Sequence, residues 1–74
     1  MNWQQVHERI SMMLHAVETK RVISERFPRE TFTDIMRIIG NFTIFDIDDR
    51  FSVEVHCVGD KVMVEFQYNG DEDL

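Results

Sequence analysis

Hydrophobic residues in the first quarter of the chain recur at alternating spacings of three and four: Trp3, Val6, Ile10, Met13 and Val17. That is the period of one face of an α-helix, and Asn2 just ahead of it offers an N-cap oxygen. Leu14 widens the stripe, while Gln4, Gln5, Glu8, Arg9, Glu18 and Arg21 fall mostly on other faces; Met12 interrupts the polar side. The spacing predicts a helix over about 3–26, fading before Pro28, which disfavours helical geometry in Phe27. Pro28 suits the first turn of a second helix, expected over about 28–39, where its missing N–H is harmless. Phe32, Ile35, Met36 and Ile39 would form its buried stripe, and Gly40-Asn41 its stop.

From Phe42 onward the period changes to two. Phe51, Val53, Val55 and Cys57 alternate with Ser52, Glu54, His56 and Val58, and Val62, Val64, Phe66 and Tyr68 alternate with Met63, Glu65 and Gln67. Gly59-Asp60 between them reads as a two-residue hairpin turn. That turn sets the register: Val55 faces Val64, Val53 faces Phe66, Cys57 faces Val62, and Glu54 faces Glu65. A further strand is expected over 42–47, joined by a loop of Asp48, Asp49 and Arg50 that puts Thr43, Phe45 and Ile47 on the apolar face. A loop shorter by one residue would bury the Asp46 carboxylate, at a cost of several kcal/mol if unpaired. The expected fold is α+β: two N-terminal helices packed on one face of a three-stranded antiparallel meander, α-α-β-β-β. Its strands would run over about 42–47, 51–58 and 61–68, in a single domain 1–74 that closes on an acidic tail, 69–74.

Residues 44–48, IFDID, carry a possible chemistry. They resemble the strand-end D-x-D of haloacid-dehalogenase-type phosphotransferases, in which the first aspartate is the nucleophile. The resemblance spans about five residues and then departs. Arg50 stands where that family has threonine or valine. Only 24 residues follow Arg50, too few for the parallel α/β sheet, hydroxyl motif, lysine and acidic pair the family requires. Acids that cap a hairpin loop are the expected reading, since aspartate tolerates turn geometry.

Charge separates the two halves of the chain. Its 74 residues carry a net −6, but residues 1–40 sum to +1 and residues 41–74 to −7. A surface of that sign repels phosphate backbones, which excludes direct nucleic-acid binding by the second half, yet it attracts basic protein surfaces. The single cysteine, Cys57, rules out an intrachain disulfide and fits a reducing, cytoplasmic setting. Neither a leader nor a membrane-spanning run is expected. A chain this short has a small core, so self-association is the expected supplement.

Candidate catalytic groups are sparse. His7 and His15 lie about 80° apart around one helix, an awkward pair for a shared metal. His56 and Cys57 are strand neighbours, so they point to opposite faces and cannot form a dyad, and Cys57 is expected as a small buried hydrophobe. No enzyme activity, cofactor or metal is expected.

Two surfaces remain. Glu54 opposite Glu65 is a like-charge pair that a basic partner could relieve. Phe42, Ile44 and Met63 are expected on the same sheet face as anchors, with Asp46, Asp48 and Asp49 adding charge. On the first helix, Trp3, Met12 and Met13 are the expected dimer contact. The implied function is a small acidic, non-enzymatic protein-binding module, an inhibitor or modulator of a nucleic-acid-handling enzyme. In size and acidity alone it is similar to phage-encoded inhibitors such as anti-restriction, anti-CRISPR and uracil-glycosylase inhibitor proteins. The alternative is a homodimeric regulatory or adaptor protein whose acidity serves solubility.

Overall fold

In a computed structural model that describes residues 1–70, the predicted apolar stripe does become a helix. α1 spans Trp3–Lys20 and buries Val6, Ile10, Met13 and Val17. Its start is a reciprocal capping box: the Gln5 amide donates to Asn2 Oδ1 at 2.9 Å, and the Asn2 amide donates to Gln5 Oε1 at 3.0 Å. Its end comes at Lys20, short of the predicted Arg26. Arg21 takes φ 73°, with its amide donating to the Val17 carbonyl at 2.8 Å, and turns the chain back on itself.

The next segment is a strand, β1, over Val22–Pro28. Val22 and Ile23 are β-branched and favour extended backbone, and β3 offers them an otherwise bare edge. Ile23 pairs with Phe66, Glu25 with Val64 and Phe27 with Val62. Glu25 therefore sits between two apolar residues on the helix-facing side, where Arg9 of α1 meets it in an ion pair and lies 5.1 Å over the Phe27 ring. A 3₁₀ turn, Arg29–Thr31, follows, and the buried Thr31 hydroxyl donates to the Pro28 carbonyl at 2.6 Å. α2 begins only at Phe32 and runs to Gly40. It buries Ile35, Ile38 and Ile39, while Phe32 and Met36 of the predicted stripe are exposed.

The strand expected over 42–47 is instead α3, a one-turn helix over Ile44–Ile47. The Thr43 carbonyl accepts the amides of Asp46 and Ile47 at 2.9 and 3.2 Å. Phe42, Ile44 and Phe45 all pack on the core, which an alternating strand could not achieve, and the Phe45 ring lies 5.3 Å from that of Phe66.

β2, Phe51–Val58, and β3, Lys61–Tyr68, form the hairpin in the predicted register, with Val55 on Val64, Val53 on Phe66, Cys57 on Val62 and Glu54 on Glu65. Gly59 has φ 62° at the first turn position, the conformation glycine takes in a II′ turn. The α+β class, with helices on one face of three antiparallel strands, is as expected. The meander is not, because β3 lies in the centre of the order β1-β3-β2. Val62, Val64 and Phe66 of β3 are fully buried beneath the helices. Among the described residues, no helix is long and apolar enough to cross a membrane.

Candidate functional site

Because the helices occupy one face, the other face of the sheet is open, and its composition follows from the register. Its successive rows across β1, β3 and β2 are Val22–Gln67–Ser52, Ser24–Glu65–Glu54, Arg26–Met63–His56 and Pro28–Lys61–Val58. The three central residues Met63, Glu65 and Gln67 are half-buried by their neighbours, while Val22, Arg26, Glu54, His56, Lys61 and Val58 are exposed.

Glu54 and Glu65 stand directly opposite each other at the middle of this face. Each is held by a neighbour on its own strand: His56 Nε2 lies 3.1 Å from Glu54 Oε1, and Gln67 Nε2 donates to Glu65 Oε2 at 2.7 Å. Among the described residues, neither carboxylate forms an ion pair with a lysine or arginine. Like charges opposed across strands destabilise a sheet by a few tenths of a kcal/mol, a small cost that the His56 and Gln67 contacts offset only in part. Toward the hairpin the sign reverses. Arg26, Val58, Lys61 and Met63 line a shallow depression of about 110 Å³. The face is therefore an acidic centre beside a basic, partly apolar end.

Met63 lies on this face as expected, but Phe42 and Ile44 do not. They pack on the opposite, helix-covered side, where the Phe42 ring is 6.3 Å from that of His7. The helical turn in place of a strand moved them. It also moved the aspartates. Asp46, Asp48 and Asp49 sit on α3 and the turn after it, at the end of the sheet where β2 begins. Asp48 is already engaged, accepting from Arg50 Nη2 at 2.7 Å, from Nε at 2.9 Å and from the Arg50 amide at 3.1 Å. Those hydrogen bonds hold its carboxyl below the ordinary aspartate value. Asp46 on a helical turn with Asp48 as its cap is not the strand-end nucleophile of the phosphotransferases it resembles in sequence.

The dimer contact expected on α1 also changes. Met13 is 1% exposed and belongs to the core of the single chain. Trp3 and Met12 are exposed, but nine positions apart places them about 180° around the helix, so they do not share a surface. Cys57 is exposed as well, contrary to expectation: it lies on the edge strand β2, while Val62 and Phe27 in the same row are fully buried. The acidic tail lies, from residue 71 on, outside the described residues.

Sequence reasoning missed the β1 contribution to the face, Val22, Ser24 and Arg26. The signal was the alternation within VISERF, read there as the end of a helix. Among the described residues, no cluster of three or more His, Cys, Asp or Glu side chains could hold a metal ion. Compared with known proteins, the chain matches no family model, no curated protein and no solved structure.

Proposed function

We propose that the protein is a small non-enzymatic binding module that docks its open sheet face on a basic surface of a partner protein. The partner class this chemistry fits best is a nucleic-acid-handling enzyme, whose phosphate-binding surface supplies the basic groups; the module then acts as an inhibitor or modulator. The observation that carries the reading is the Glu54–Glu65 pair: two carboxylates, oriented by His56 and Gln67, directly opposed on an uncovered face. A guanidinium or ammonium seated between them removes their repulsion, so binding relieves a cost present in the free chain. Val22 and Val58, at 54% and 60% exposure, lie on the same face as apolar contacts around that centre.

The contact set is narrower than the sequence suggested. It keeps Glu54, Glu65 and Met63, gains Val22 and Val58, and leaves out Phe42 and Ile44, which pack half-buried against the core on the other side. Asp46 and Asp49 contribute long-range attraction from the sheet end, which speeds encounter more than it tightens the complex. The test is capture of partners from a lysate on immobilised protein at low and high salt, with Glu65→Lys in parallel. A nucleic-acid-handling enzyme retained at low salt, released at high salt and lost with Glu65→Lys supports the reading. Identical retention by wild type and Glu65→Lys, or retention indifferent to salt, overturns it.

A further inference from the structure

The outer edge of β2 is the strongest unexplained feature of the molecule. The two-residue turn makes Val58 and Lys61 a hydrogen-bonded pair, and the Asn69 amide donates to the Arg50 carbonyl at 2.9 Å, so the intervening bonded positions are Ser52, Glu54 and His56. The amides and carbonyls of Val53, Val55 and Cys57 therefore point away from β3. Edge strands in natural proteins are commonly blunted by proline, lysine or a bulge. β2 has none of these between Phe51 and Val58, and its ladder with β3 is unbroken. β1, by contrast, ends in Pro28 and carries Arg26 on its short length.

We infer that two copies of the chain join antiparallel through β2, about a two-fold axis at Val55, into one six-stranded sheet. The register is selected by charge. Centred on Val55, Glu54 of each copy faces His56 of the other, and the carboxylate accepts from the imidazole across the seam; Val53 faces Cys57 on the helix side. Centred on Glu54, the seam stacks two Glu54 carboxylates between two Glu65 carboxylates, which repel. Centred on His56, it sets histidine on histidine and places Val53 against the Gly59 turn. Only the Val55 register pairs opposite chemistry twice while using the whole strand. It also places the outward amides of Val53, Val55 and Cys57 opposite outward carbonyls and covers exposed Cys57.

Cysteine cross-linking reads the register. In a hydrogen-bonded antiparallel pair the Cα atoms are about 5.5 Å apart, within disulfide reach. Val55→Cys in a Cys57→Ser background is expected to oxidise to a disulfide-linked dimer at least about ten-fold faster than Val53→Cys in the same background, whose cysteine would face serine. Val55→Pro removes an outward amide only, so it is expected to give a folded monomer by circular dichroism and sedimentation. If that variant does not fold, Glu54→Lys serves instead. It should weaken association about ten-fold, and Glu54→Lys with His56→Glu should restore it. Val22→Lys, on β1 two strands from the seam, should leave association unchanged while weakening capture of the basic partner, separating this inference from the binding function. Equal oxidation of the two cysteine variants, or a wild-type monomer at every concentration up to about 1 mM, where only association too weak to be specific would escape, overturns it.

Discussion

Arg21 and Tyr68 are joined twice. The Arg21 carbonyl accepts the Tyr68 amide at 2.8 Å, and the Arg21 guanidinium lies 5.4 Å from the centre of the Tyr68 ring. This double contact fixes the reversal from α1 into β1 against the end of the central strand. It holds a non-glycine residue at φ 73°, where a Cβ is strained.

Substitution at Arg21 should separate the backbone from the side chain. Glycine relieves the strain but loses the ring contact and adds unfolded-state entropy, so Arg21→Gly should fall within about 1 kcal/mol of wild type. Arg21→Val keeps a Cβ, adds β-branching and should cost about 2 kcal/mol. Urea denaturation of the two variants checks the order; an Arg21→Val protein as stable as Arg21→Gly would show that the turn is unstrained.

Arg9 does two things where Glu25 does one. The ion pair is partly solvent-exposed, so Glu25→Gln should cost about 0.5 kcal/mol. Arg9→Ala also uncovers the Phe27 ring and should cost about 1–2 kcal/mol. A double-mutant cycle in urea should return a coupling near about 0.5 kcal/mol, with the rest of the Arg9 effect surviving in the absence of Glu25.

α3 should depend on Phe45 more than on its own sequence, since a single turn cannot nucleate alone. Phe45→Ala removes the ring that packs beside Phe66 and should cost about 2–3 kcal/mol. Ile47→Ala, at 77% exposure, should change stability by less than about 0.5 kcal/mol. Thermal melts of the two variants test this, and equal melting temperatures would remove α3 from the core.

Asp48 gives a pH dependence of known sign. Its hydrogen bonds from Arg50 lower its carboxyl in the folded chain below the ordinary value of 3.8. A depressed carboxyl adds stability that is complete above the unfolded value and is lost as pH falls through the lower folded value. Asp48→Asn should therefore melt lower than wild type at neutral pH, with the gap narrowing as the medium is acidified below 3.8. A gap that widens on acidification would reverse the assignment.

The hairpin and its register were legible because alternation and the Gly59-Asp60 turn are local signals that agree. The same holds for the buried stripe of α1. β1 was not legible because its inner residue Glu25 is satisfied by Arg9, sixteen positions back, which no local pattern reveals. With the stop at Arg21 lacking glycine or proline, VISERF reads equally as a helix end. The 42–47 segment failed for the opposite reason: six residues with apolar groups on both sides fit a buried turn of helix as well as a strand. The candidate site divides along the same line. Glu54 and Glu65 came from the hairpin and were correctly opposed, whereas Arg26, which gives the face its basic end, came from the strand that was missed.

The central position of β3 also governs how the chain can be made. Both β1 and β2 depend on β3 for their backbone partners, and β3 is the last of the three to leave the ribosome. β1 must wait, unpaired, through the synthesis of residues 29–60, close to half of the described chain. During that interval α1 is the one long element able to form from local contacts, and its Arg9 and apolar stripe are available to shelter the waiting strand. Sheet assembly is thus a single late event: translation stalled before Lys61 leaves a helix and loose segments, and release of the last strand zips both edges together.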